Sequence, residues 1–172
     1  MLVNSIKIGI VVGAIAVTTF TVTKTGNEDN QEIRIPNSID QLSPPSIQMY
    51  KYIKAYADTF DIPINYAFGI AQQETGYKGP FHWEYNPKQT STSGAEGPMQ
   101  ILLSTARYLN NDRVSRLRLR TDIEYNVKTS LEYLRRLYNR YKSWPIVFGY
   151  YNTGYPRVND YALKICSHKI NW

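Results

Sequence analysis

Three groups of residues in this chain have the types and spacing that chemistry needs. The first is Gln73-Glu74-Thr75. Just before it, Pro63 followed by Ile64, Ala67, Phe68 and Ala71 at helical spacing predicts a helix, and Gly76 is its natural stop. Glu74 then falls in the last turn. There the negative end of the helix dipole and the apolar neighbours Phe68, Ile70 and Ala71 both favour a protonated carboxyl. A carboxylic acid that keeps its proton near neutral pH is what a general acid requires. The plainer reading of the same residue is a solvated glutamate closing a surface helix. The second group is Gly94-Ala95-Glu96-Gly97-Pro98-Met99-Gln100, where glycines permit close backbone approach and Met99 and Gln100 offer a soft contact and an amide. The third is Tyr150-Tyr151-Asn152-Thr153-Gly154, an aromatic–amide–glycine corner suited to a sugar face. Taken singly, each of the second and third groups is more often a structural turn.

The elements that must hold these groups are helices. Ile47, Tyr50, Ile53, Ala57 and Phe60 mark one face of a helix over Ser46 to Phe60. Residues 77–97, rich in Gly, Pro, Asn, Ser and Thr, predict loop with room for a short hairpin. A short helix is expected over Ser104 to Asn110. A strongly amphipathic one spans Asp122 to Tyr141, with Ile123, Val127, Leu131, Leu134, Tyr138 and Tyr141 on one stripe. Helices over Trp144 to Tyr151, ended by Gly154, and over Arg157 to Ile165 complete the set. The expected class is all-α, with an irregular loop or short hairpin beside the site.

A chain of 172 residues, 42% hydrophobic and 20% charged, suits one packed domain plus an extra segment. Residues 1–23 read as that extra segment. Their apolar run from Ile8 to Val22 fits an uncleaved membrane anchor or an exported signal core, and either places the remainder outside the cytoplasm. Residues 24–45 read as a polar, Pro-containing linker, and residues 46–172 as the domain. One cysteine, Cys166, excludes an intrachain disulfide and reads as a packed thiol. His82 and His168 with no Cys/His cluster give no basis for a metal site, and no cofactor is called for. The formal charge of +6 suits a polyanion. Arg107, Arg113, Arg116, Arg118, Arg120, Arg135, Arg136, Arg140 and Lys142 supply much of it, as a solvated face or as an attraction to anionic wall or membrane. No recognition motif points to nucleic acid.

Read in order, the groups form a longer pattern: Gln73-Glu74-Thr75; Asn86-Pro87 through Ser91 to Gly94-Ala95-Glu96-Gly97-Pro98-Met99-Gln100; Ser104-Thr105-Ala106; Asn126 and Tyr133-Leu134; Tyr151-Asn152-Thr153-Gly154 and Val158. Over roughly residues 63–162 the chain resembles the catalytic domain of soluble-type lytic transglycosylases, in the lysozyme-like superfamily. It departs from them where Thr75 replaces a serine, where Pro98 stands for a leucine, and in a longer stretch between Thr75 and Asn86.

The resemblance implies a peptidoglycan lytic transglycosylase in which Glu74 alone is both acid and base. Thr75, Ser91, Met99, Gln100, Tyr133, Tyr151 and Asn152 are the implied substrate-binding residues, with Tyr151 also approaching Glu74. The expected partner is the peptidoglycan glycan strand, with the membrane engaged through residues 1–23, and the setting is the periplasm or cell envelope. A small domain behind one apolar segment suits local wall penetration by a phage, carried in a virion, or by a secretion complex. Two other functions share these residues: an inactive wall-binding or assembly protein, and a lysozyme-like hydrolase. The hydrolase needs a second carboxylate, for which Glu84 in the long loop is the candidate.

Overall fold

Short capping signals set the helix boundaries. The computed structural model describes residues 42–110 and 113–172. Pro45 opens α1 (Pro45–Thr59), which buries Ser46, Met49, Ile53 and Ala57 on one stripe. Pro63 caps α2 (Ile64–Thr75) from just outside it, and Gly76, at φ 70°, closes it in the left-handed conformation. Ser91 and Gly94 frame a turn that leads into β1 (Ala95–Glu96), paired antiparallel with β2 (Ile101–Leu102) through Ala95 opposite Leu102 and Glu96 opposite Ile101.

α3 (Leu103–Asn110) follows directly, and then α4 (Arg116–Thr121). Asp122 caps α5 (Ile123–Tyr141) by accepting from the Tyr125 amide. α6 (Trp144–Thr153) ends at Gly154. α7 (Asp160–Cys166) starts on Asn159, whose side chain accepts from the Ala162 amide. That cap explains why the last helix begins three residues later than its apolar spacing suggests.

α5 is the axis of the domain. It packs on α1, α3, α4 and α6, while α2 lies against α1 and α7. The main core gathers Met49, Ile53, Phe68, Leu131, Leu134 and Phe148, all essentially inaccessible to water. Each such side chain contributes about 1.5–3 kcal/mol of burial. A smaller core of Ile101, Ala106, Leu109, Val114 and Leu119 sits under the hairpin, α3 and α4. Tyr133 packs against both, so the two cores meet along one face of α5.

The domain is thus mainly helical with one short two-stranded hairpin, as expected in class. Two details differ from the periodicity. The hairpin lies across the glycine cluster rather than within 77–97, because Gly97 to Gln100 form its turn. α4 has no apolar stripe to announce it: Arg116-Leu117-Arg118-Leu119-Arg120 alternates, and only Leu119 is buried. The expected apolar segment of residues 1–23 and most of the expected linker of residues 24–45 lie outside the described residues. Among the described residues no helix is long and apolar enough to cross a membrane.

Candidate active site

The last turn of α2 presents Glu74 from the helix C-terminus, and α7 meets it with Tyr161. The Tyr161 hydroxyl donates to Glu74 Oε1. Burial pushes the Glu74 carboxyl up to about 7, and the Tyr161 hydrogen bond, which favours the carboxylate, opposes part of that rise. No neighbouring carboxylate is among the causes. Glu84 is exposed in the 77–89 loop. Among the described residues no second carboxylate is thus among the groups that shift Glu74, and its proton is exchangeable near neutral pH, the condition for a group that gives a proton and then takes one back.

Tyr151, on α6, links Glu74 to the cleft. Its hydroxyl donates to the Met99 carbonyl at 2.7 Å. Burial holds that hydroxyl well above the usual tyrosine range, and the nearby Glu74 charge adds to the effect. The same residue lines a cleft of about 260 Å³ with Gln100, Tyr133, Tyr150 and Asn152. Tyr133 leans on Tyr151 with ring centroids 6.0 Å apart. The Asn152 side chain is exposed and accepts from Asn159 Nδ2 at 3.1 Å. Glu74 is in the lining neither of this cleft nor of a larger hollow of about 820 Å³ between the start of α1, residues 85–88 and the start of α5.

The glycine cluster is held rigidly. Asn126, fully buried on α5, donates from Nδ2 to the carbonyls of Glu96 and Leu119 and accepts from the Met99 amide, at 2.8 to 2.9 Å. Gly97 has φ +74°, and a Cβ there would lie 2.1 Å from the Leu119 carbonyl oxygen and 2.5 Å from Asn126 Nδ2. Gln100 adopts φ +50°, a conformation that costs a side-chain-bearing residue about 1–2 kcal/mol. Its amide repays this by donating to the Gly97 and Gln89 carbonyls. Gln89 in turn donates to the carbonyl of Thr75, which ties the loop to the end of the Glu74 helix.

Of the residues singled out from the sequence, Gln100, Tyr133, Tyr151 and Asn152 come together in the cleft, with Glu74 adjoining through Tyr151. Thr75 and Met99 are buried, at 8% and 0% exposure. The Thr75 hydroxyl bonds to the carbonyls of Ala71 and Pro98 and to the Tyr85 hydroxyl, locking the end of α2 to the glycine turn. Met99 offers the cleft region its carbonyl. The Ser91 hydroxyl accepts from the Ala95 amide and shapes the turn below the hairpin.

Two contributors carry no sign of their role in the sequence. Tyr161 sits at helical spacing in the last helix, and that spacing does not tell a packed phenol from one aimed at a carboxyl. Glu96, within the glycine cluster, is 1% exposed, bonded to Thr90 at 2.6 Å and paired with Arg116 and Arg120. Burial alone would raise its carboxyl, but the Thr90 and Arg116 hydrogen bonds and the two guanidinium charges hold it below the usual range. The basic run is therefore partly structural. Among the described residues no group of His, Cys, Asp and Glu is gathered to hold a metal.

Residues 51–169 match the model of the transglycosylase SLT domain. The fold is similar to that of the 70-kDa soluble lytic transglycosylase of Escherichia coli, at 30% identity and a TM-score of 0.52, over 67% of this chain and 18% of that one. The same figures hold for that transglycosylase in complex with bulgecin A. An inactive mutant of the lytic transglycosylase Slt of Pseudomonas aeruginosa aligns at 19% identity and a TM-score of 0.49, over 60% of this chain and 16% of that one. The chain thus spans less than a fifth of the length of these proteins. No curated protein matches it.

Proposed function

The chain belongs to the transglycosylase SLT domain family, and from that premise we propose that it cleaves the MurNAc–GlcNAc β-1,4 bond of peptidoglycan with Glu74 as its one catalytic residue. In the first step Glu74 protonates the glycosidic oxygen, and the substrate's N-acetyl group assists departure. In the second, the Glu74 carboxylate takes the proton of the MurNAc C6 hydroxyl, which closes on C1 as a 1,6-anhydro ring. The observation that carries this reading is the half-buried carboxyl of Glu74, raised by desolvation to about 7 with no other carboxylate among the causes. A hydrolase of the usual kind needs two, roughly 5–9.5 Å apart.

Gln100, Tyr133, Tyr151 and Asn152 hold the sugars and the acetamido group. Thr75, Met99 and Ser91 act at one remove, by fixing the segment that carries Gln100. Peptidoglycan as substrate places the domain outside the cytoplasm. For the biological setting we favour local wall penetration by a phage or a secretion system, with the apolar run Ile8 to Val22 as anchor or export signal.

Digestion of purified sacculi by the full chain, with mass spectrometry of the products, tests the reading. Products one water lighter than hydrolytic ones, and a fall of at least about 10²–10⁴-fold with Glu74→Gln, are expected. Hydrated products would replace it with a hydrolase. Silence from a folded wild-type chain would replace it with a wall-binding protein.

A further inference from the structure

The cleft does not stop at Tyr133 and Tyr150. Together with Thr105 they also line a second hollow, of about 420 Å³, which opens over α3 and α5. Its wall adds Tyr108, Arg136 and Arg140, and it contains no carboxylate. Tyr108 is 79% exposed, a large aromatic face with nothing covering most of it.

The two arginines differ in state. Arg136 donates to Glu132 Oε1 from Nη2 at 2.7 Å and from Nε at 3.2 Å, so its charge is already balanced. Arg140, one helical turn further along α5, lies 5.3 Å from the centroid of the Tyr141 ring. Among the described residues it forms no ion pair. The hollow therefore combines tyrosine faces, on which sugar rings pack, with one guanidinium whose charge is not neutralised. A planar fork of this kind suits a carboxylate.

We propose that this hollow is an outer subsite of the cleft that receives a carboxylate-bearing sugar of the same glycan strand, with Arg140 pairing with the carboxylate. The inference rests on the reading of the cleft as a peptidoglycan site. MurNAc is the sugar that qualifies, because its lactyl ether ends either in a free carboxylate or in a peptide stem that carries carboxylates of its own. A strand that lies past Gln100 and Tyr151 and continues beyond Tyr133 enters the hollow. Contact with Arg140 then distinguishes peptidoglycan from an uncharged glycan of the same shape.

Binding of soluble strands to the full chain carrying Glu74→Gln tests this without requiring turnover. Each strand is measured with and without Arg140→Gln. Three polymers serve: strands with peptide stems, strands stripped of stems to free lactyl carboxylates, and stem-bearing strands whose carboxylates have been converted to methylamides. Arg140→Gln is expected to weaken binding of stem-bearing strands about fivefold at low salt, the scale of one exposed charge-assisted pair. It should leave the methylamide strands unaffected. A loss that persists on stripped strands assigns the lactyl carboxylate, and a loss that vanishes there assigns the stem. An equal loss on methylamide strands, no loss on any strand, or no binding of any strand overturns the proposal. Turnover of sacculi by the chain with Glu74 intact, measured alongside, reports separately on the transglycosylase reading.

Discussion

Glu74 and Tyr161 set opposing pulls on one proton. Burial raises the carboxyl to about 7, and the phenol hydrogen bond lowers it. The free chain needs Glu74 protonated, so kcat/KM should fall as pH rises through about 7. Tyr161→Phe removes the bond that favours the carboxylate, so the fall should move to higher pH. A pH–rate profile that stayed in place would show that Tyr161 does not tune this acid. The same proton links activity to stability. The folded carboxyl holds its proton up to about 7, against about 4.5 in the unfolded chain, so the carboxyl's contribution is full below 4.5 and is lost as pH rises to about 7. Glu74→Gln mimics the protonated form and escapes that loss. It should be more stable than wild type by on the order of 2–3 kcal/mol above pH 7 and equal to it near pH 4. Urea unfolding at the two pH values reads the difference.

At the scale of elements, the site depends on how the hairpin turn is fastened to α5. Asn126 satisfies three backbone groups of that region with one buried amide, and Gly97 leaves the space in which it does so. Gly97→Ala would force a methyl into the Leu119 carbonyl and require a left-handed alanine. A loss of about 2–4 kcal/mol in chemical denaturation is expected, with kcat falling alongside because Gln100 leaves its place. Loss of activity at unchanged stability would mean that Gly97 touches substrate rather than Asn126. Glu96, next to Gly97 at the same end of the hairpin, fastens it to Arg116 and Arg120. Its lowered carboxyl stabilises the fold above the unfolded carboxylate range, and that stability is lost as pH falls through the folded value. Glu96→Gln should therefore cost most near neutral pH, and the gap to wild type should narrow in acid. Thermal unfolding at pH 7 and pH 3 shows whether it does.

For the molecule as a whole, charge and shape act together. Two cores meet along α5, and the cleft runs where they meet, between the hairpin side and the helical side. The chain carries a formal +6, and the substrate proposed for it is an anionic polymer. Attraction of this kind is screened within about 10 Å at ~0.1 M salt. KM for sacculi should then rise several-fold between about 0.05 and 0.3 M salt, with kcat little changed. A kcat that fell equally would place the salt effect in the site rather than in encounter.

The helical class and most helix positions were legible in the sequence, which also singles out Glu74 as the candidate acid. Local signals carry them: apolar residues at 3.6 spacing, prolines at helix starts, glycine stops, and an ordered set of motifs around Glu74. Residues whose meaning depends on partners distant in the chain were not legible. Tyr161 lies 87 positions from the Glu74 it bonds, and helical spacing assigns it to the core either way. Glu96 meets Arg116 and Arg120, 20 and more positions on, only in the folded chain. Thr75 and Met99 keep their motif positions but face inward. Which side of a helix end turns toward the cleft is decided by packing against α6, α7 and the hairpin. The sequence by itself determined the helical class and the ordered motif residues from which a chemistry is proposed. The tertiary structure decided how acidic that chemistry is and which polar groups surround it, because burial and long-range hydrogen bonds exist only once the distant segments meet.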